Sequence, residues 1–132
     1  MNPDDVVAFL RTSSEPEIAA AVDELGVGVV LDVVFDGMAD RFGVRPGRLP
    51  GVLAFELEHG GEQHRRGVRL TEGGAQVDLA PADPRATLRT TLVRFLRIAV
   101  GAQDPKRLVV TGRLRLSGDV LWAATTLASL KQ

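Results

Sequence analysis

Apolar positions recur at spacings of three and four through the first third of the chain. Val6, Phe9 and Leu10 form a short stripe. Ile18, Ala21, Val22 and Leu25 form a second, and Val30, Leu31, Val34, Phe35, Met38 and Phe42 a third. Such spacing puts side chains on one helical face and predicts three helices. Asn2-Pro3-Asp4-Asp5 opens the first with an N-cap, a proline at the first helical position and acids at the positive end of the dipole. Ser13-Ser14-Glu15-Pro16 ends it and starts the second. Gly26 and Gly28 mark a turn or kink before the third, which spans residues 29–42. Asp32, Asp36 and Asp40 line the opposite face of that helix. Like charges four residues apart repel, so a basic partner is expected beside them, either Arg41 or one from a sheet.

After Gly43-Val44-Arg45-Pro46-Gly47 the period drops to two. Leu53, Phe55 and Leu57 alternate with Ala54, Glu56 and Glu58, which is a half-buried strand. Gly60-Gly61 predicts a two-residue hairpin turn. That turn places Leu57 opposite His64, Phe55 opposite Arg66, Leu53 opposite Val68 and Glu56 opposite Arg65. A second turn at Gly73-Gly74 pairs Leu70 with Val77, Val68 with Leu79 and Arg69 with Asp78. Both registers set apolar against apolar, as at Leu53–Val68 and Leu70–Val77, and charge against opposite charge, as at Glu56–Arg65 and Arg69–Asp78, so a three-strand meander follows. Beyond a turn at Pro81–Pro84, residues 87–91 read as a strand. Leu92, Phe95, Leu96 and Ala99 then read as a helix ended by Gly101, and Asp104-Pro105 opens one helical turn. Gly112–Leu116 read as a strand with Leu114 and Leu116 inward, and Gly118-Asp119 leads into a final helix, residues 120–131. Helices, then strands, then helix, strand and helix make an α+β fold with a mostly antiparallel sheet.

At 132 residues the chain is expected to form a single domain, 1–132, with enough surface buried for one core. It has no cysteine, so disulfides and thiolate chemistry are excluded. No apolar run approaches the roughly 18 residues of a membrane span. Asp4 and Asp5 have the wrong sign for a secretory leader, so a cytoplasmic protein is expected. The Ala, Val, Gly and Arg bias suggests GC-rich coding and a bacterial source. Residues 1–40 hold nine acids and one base, and the remaining 92 hold eight acids and fifteen bases. One reading is an acidic helical layer over a basic sheet; a second is a basic face making transient contact with an anionic membrane surface. Nucleic acid is not expected as a partner, because no aromatic residues interleave with the bases.

Chemistry is sparse. The histidines, His59 and His64, have no metal-ligand spacing, and no metal site is expected. His59, beside a glycine turn, is expected to be solvated. His64 and Arg66 share the inner face of the meander, either as cations reaching water at the sheet edge or as a polar anchor for a ligand. Glu56 and Glu58 read as a solvated strand face, and Ser117-Gly118-Asp119 as a helix cap rather than a nucleophile elbow. No catalytic residue and no cofactor is expected, and the chain does not read as an enzyme. The last helix carries Val120, Leu121, Trp122, Ala123, Ala124, Leu127, Ala128 and Leu130. It is apolar nearly all round and needs cover on both sides, whether core, a partner chain or an apolar ligand.

The stretch from Ala86 to Lys131 resembles the sterol carrier protein 2 (SCP2-like) family. The likeness rests on Thr87-Leu88, the helix Leu92–Val100, Gly101-Ala102-Gln103-Asp104-Pro105, and Thr111-Gly112-Arg113-Leu114-Arg115-Leu116-Ser117-Gly118-Asp119 with the small-residue helix after it. It extends upstream to about residue 29, leaving 1–28 as N-terminal helices. The resemblance implies a five-stranded, mostly antiparallel sheet with helices packed on one face, enclosing a hydrophobic cavity. It also implies non-enzymatic binding and intracellular transfer of a fatty acid, acyl chain or sterol-like lipid. The expected lining is Val34, Phe35, Met38, Phe55, Leu57, Val68, Leu70, Leu79, Leu92, Phe95, Leu96, Leu116, Leu121 and Trp122, with His64 or Arg66 holding a carboxylate or hydroxyl head. The alternative is an interaction domain with a collapsed cavity that forms a homodimer or supports a partner protein.

Overall fold

The computed structural model describes residues 3–130. Helices α1 (Pro3–Thr12), α2 (Glu15–Leu25) and α3 (Val27–Phe42) lead into strands β1 (Gly51–His59), β2 (Glu62–Thr71), β3 (Gly74–Asp78) and β4 (Ala86–Thr91). Then come α4 (Leu92–Ala99), α5 (Pro105–Val110), β5 (Arg115–Gly118) and α6 (Val120–Ala128). The strands form one sheet in the order β3-β2-β1-β4-β5. Only the β1–β4 pairing is parallel, so the α+β, mostly antiparallel expectation holds. The expected N-cap Asn2 and Lys131 lie outside the described residues, and the last helix ends at Ala128, short of the expected 131, with Ser129 as its C-cap.

Local chemistry accounts for the helix boundaries. Ser14 and Glu17 form a reciprocal capping box on α2, with Ser14 N–H donating to Glu17 at 2.8 Å and Glu17 N–H donating to Ser14 at 3.3 Å. Gly26, at φ 98°, alone breaks α2 from α3. Gly28 lies inside α3, which starts two residues earlier than expected. Its weak helix propensity is outweighed by the buried face of Leu31, Phe35, Met38 and Phe42. At the far end of α3, Arg48 donates to the carbonyls of Phe42 at 2.6 Å and Gly43 at 2.8 Å, and to Thr71 of β2 at 3.1 Å. This satisfies helix carbonyls that have no partner within the helix.

The first hairpin has the expected register at every pair, including Leu57–His64, Phe55–Arg66, Leu53–Val68 and Glu56–Arg65. Gly60 and Gly61 have φ 60° and 82°, the two positive angles that a type I′ turn requires. The second hairpin is shifted by two residues. Thr71 pairs with Gly74 across a Glu72-Gly73 turn, so Val68 faces Val77, Leu70 faces Ala75 and Arg69 faces Gln76. A slip of two preserves which face each side chain occupies, because the strand period is two. Val77 therefore stays inward, and Arg69 still reaches Asp78 diagonally at 3.4 Å. Leu79, however, falls beyond the end of β3 and is 67% exposed, which corrects the expected Val68–Leu79 pair.

The chain then crosses from β3 to β4 over the outer face of the sheet. Pro81 sits on Gly67, where a Cβ would meet the proline ring at 2.8 Å, and Pro81 carbonyl accepts from Arg65 at 2.7 Å. Ala54 and Val52 of β1 are buried on that outer side. On the inner face, Phe35, Phe55 and Phe95 meet as a triangle with ring centroids 5.2–5.3 Å apart. They join α3, β1 and α4 in one core with Leu53, Leu57, Val68, Leu70, Leu88 and Leu92. The last strand is displaced from the expected 112–116 to Arg115–Gly118, which leaves Asp119 as the cap of α6. Arg113 and Leu114 are held in a turn by hydrogen bonds to the Leu108 carbonyl, with Leu114 buried.

Helix α6 lies against β4 and β5 and buries Trp122, Ala123 and Thr126. Trp122 Nε1 donates to Leu49 carbonyl at 2.9 Å, and the Arg85 guanidinium lies over its ring. The outward side is uncovered: Val120 is 46% and Leu121 80% exposed. The expected cover on both sides of this helix is thus found on one side only.

Candidate functional site

Helix α3 lies against β3, and between them runs a half-open groove of about 360 Å³. Leu31, Asp32, Phe35 and Asp36 line it from α3, Arg66 from β2, Val77 from β3 and Leu79 from the chain just after β3. The local sequence explains its two-sided character. Leu31 and Phe35 are one helical turn apart on the inward face, and Asp32 and Asp36 follow each by one residue, which rotates them to the rim. Beneath it lies the core, since the fully buried Phe35 stacks on Phe95 and meets Phe55 edge-on. Its volume lies at the small end of the about 300–1,000 Å³ typical of ligand pockets. A second groove, of about 400 Å³, follows the β2–β3 hairpin. Its walls of Arg69, Thr71, Gly73, Gly74, Ala75 and Gln76 give an apolar ligand no floor.

Polar atoms near the α3–β3 groove are incompletely matched. Arg66 Nη1 donates to Arg65 carbonyl at 3.0 Å, but Arg66 Nε is buried without a hydrogen-bond partner, and so is Nε2 of His64 two residues away on the same face of β2. The basic partner expected beside the α3 acids is not found. No ion pair among the described residues involves Asp32, Asp36 or Asp40, and none involves Arg66.

Of the residues singled out from the sequence, Phe35, Arg66 and Leu79 come together at this groove. Met38, Phe55, Leu57, Val68, Leu70, Leu92, Phe95, Leu96 and Trp122 are buried in the core and do not line the groove, and Val34 and Leu116 pack against that core. Leu121 stands apart in solvent on α6. Leu31, Asp32, Asp36 and Val77 complete the lining without having been singled out. The paired i, i+4 steps of Leu31/Phe35 and Asp32/Asp36 were the available signal for three of them, and the register of the second hairpin concealed Val77.

Several other titratable groups have structural partners. Glu56 is held between Arg89 at 2.6 Å and Arg65 at 3.4 Å, and Glu58 accepts from Gly61 N–H at 3.0 Å. His59 is not solvated as expected. Its side chain is 9% exposed, with Nε2 2.7 Å from Asp23, because α2 lays that carboxylate over the end of β1. Asp119 caps α6, and the Trp122 N–H and then Arg85 hold its carboxyl below the ordinary aspartate value. Among the described residues no cluster of three or more His, Asp or Glu could hold a metal ion, and no helix is long and apolar enough to cross a membrane.

Residues 47–130 match the SCP-2 sterol transfer family. Among curated proteins nothing matches the chain. Among solved structures, it is similar to sterol carrier protein 2 like 2 from Aedes aegypti (20% identity, TM-score 0.63, covering 78% of this chain and 98% of that one). A solution structure of the palmitated form of the mosquito protein gives 19% identity and TM-score 0.60, over 75% and 92%. Sterol carrier protein 2 from Yarrowia lipolytica gives 22% and 0.56, over 73% and 89%. The fold also occurs within a larger enzyme, the sec-alkylsulfatase Pisa1 from Pseudomonas sp. (17%, TM-score 0.56), where the match covers 71% of this chain but 14% of the enzyme.

Proposed function

The chain belongs to the SCP-2 sterol transfer family, and from that premise we propose that it binds the apolar part of a lipid at the α3–β3 groove and carries it without catalysing a reaction. The observation that supports this reading is the groove's construction: Val77 and Leu79 give it an apolar side over the buried Leu31 and Phe35, beside unmatched polar atoms. Removing about 300 Å² of acyl-chain surface from water at about 25 cal/mol per Å² is worth about 7 kcal/mol before the entropy of association is subtracted. Micromolar affinity needs about 8 kcal/mol net, so burial of the chain alone gives weaker, readily reversible capture, and the polar end of the site must supply the remainder. The aliphatic walls impose width rather than direction, so acyl chains and sterol-like bodies are both in range. His64 and Arg66 serve as the polar end of the site. Transfer requires only that the groove meet a donor surface. The arginines of the outer sheet face are largely paired internally, through Glu56 and Asp78, so any contact with anionic lipid would be weak and salt-sensitive.

A fluorescent fatty-acid analogue titrated into the protein should bind saturably and be displaced by unlabelled lipid. Absence of saturable binding to lipid-free protein would refute the reading. One observation favours a second reading, a module that self-associates: the apolar side of α6 at Val120 and Leu121 is uncovered. That reading predicts a concentration-dependent dimer in light scattering that Leu121→Asp abolishes, and a monomer at every concentration would remove it.

A further inference from the structure

The α3–β3 groove carries charges of both signs that do not neutralise each other. Asp32 and Asp36 stand on its rim, both exposed, and Arg66 lines it from β2. Yet none of the three forms an ion pair among the described residues, and Arg66 Nε is buried without a partner. A guanidinium ordinarily takes a nearby carboxylate when geometry permits. Here α3 holds its carboxylates on one wall and the sheet holds the arginine on another.

From this arrangement we infer that the groove selects single-chain amphiphiles whose head is zwitterionic, with the cationic nitrogen at Asp32 and Asp36, the anionic group at Arg66 and the chain along Val77 and Leu79. The inference rests on the proposed lipid-binding role and narrows it to a class of head. A purely anionic head gains Arg66 but meets two carboxylates. A purely cationic head gains the carboxylates and leaves Arg66 unmatched. Only a head with both signs complements both walls. Because both acids are exposed, each contact is screened, and a factor of roughly two to five per charge is the appropriate scale.

The test compares three twelve-carbon amphiphiles below their micelle-forming concentrations: dodecylphosphocholine, laurate and dodecyltrimethylammonium, each displacing the same bound fluorophore. Dodecylphosphocholine is expected to bind about fivefold or more tighter than either of the others. The Asp32→Asn/Asp36→Asn double variant should bring it down to the level of laurate, and Arg66→Gln should bring it down to the level of the ammonium. Arg66→Lys should retain most of the preference, which separates charge from packing. Laurate or the ammonium binding as tightly as the zwitterion, or an order unchanged in both variants, overturns the selectivity while leaving lipid binding intact. Failure of all three to displace the probe overturns both.

Discussion

Replacing Phe35 by alanine tests how the core and the groove are joined, because this ring belongs to both. It is fully buried, stacks on Phe95 at 5.3 Å and meets Phe55 edge-on at 5.2 Å. Phe→Ala changes in cores cost about 3–5 kcal/mol, part lost transfer energy and part cavity. Each aromatic contact contributes about 0.5–1.5 kcal/mol beyond burial, so the upper half of that range is expected here. A domain of this length has a stability of the order of 7–20 kcal/mol at about 0.05–0.15 kcal/mol per residue. The variant should therefore fold while melting about 10–25 °C lower. Because Phe35 also lies beneath the groove, its removal should deepen the site, so that a bulky sterol-like ligand gains affinity relative to a slender acyl chain. Urea denaturation gives the stability change, and displacement with both ligand shapes gives the affinity ratio. A loss below about 1 kcal/mol would show that the aromatic triangle is not the centre of the core. A normal loss with an unchanged ligand ratio would show that Phe35 does not line the site.

Three further outcomes follow from the same structure. Gly118 has φ 82°, and a Cβ there would lie 2.6 Å from the Arg85 carbonyl oxygen, a backbone atom that cannot yield cheaply. Gly118→Ala should lose at least about 2 kcal/mol in thermal or urea unfolding, and a neutral result would refute this close approach. The carboxyl of Asp119 is held low by Trp122 N–H and then by Arg85, so its contribution is present above the unfolded aspartate value, about 3.9, and is lost as pH falls through the lower folded value. Asp119→Asn should therefore lower stability at pH 7 and flatten the acid limb of the stability–pH curve; an acid limb identical to that of the parent would contradict the assignment. Leu121→Asp on the exposed side of α6 should leave monomer stability within about 0.5 kcal/mol by denaturation, and a larger loss would mean that this face is covered in solution.

Where pattern and turn chemistry agreed, the fold was legible in the sequence. The β1–β2 register follows from alternation at Leu53, Phe55 and Leu57 together with two glycines that only a tight turn uses. The second hairpin shows the limit of that reasoning. The turn can close at Glu72-Gly73 or at Gly73-Gly74, alternation is indifferent to a slip of two, and only packing decides between them. Helix α6 shows another limit, since apolar composition does not say which side is covered within the chain. The groove was half legible: Phe35, Arg66 and Leu79 were identified. Asp32 and Asp36 were expected opposite the apolar stripe beside a basic partner; that they share a groove with Arg66 without pairing to it depends on how α3 lies against β3, a long-range contact that no local pattern encodes. His59 was misplaced for the same reason, its partner Asp23 being 36 residues away in the chain.

The most direct test of lipid capture at the α3–β3 groove is an NMR titration of isotope-labelled protein with a twelve-carbon amphiphile below its micelle-forming concentration. The account predicts saturable shifts concentrated at Leu31, Asp32, Phe35, Asp36, Arg66, Val77 and Leu79, with α6 unmoved. Shifts confined to Val120 and Leu121, or scattered without saturation over the surface, would contradict it.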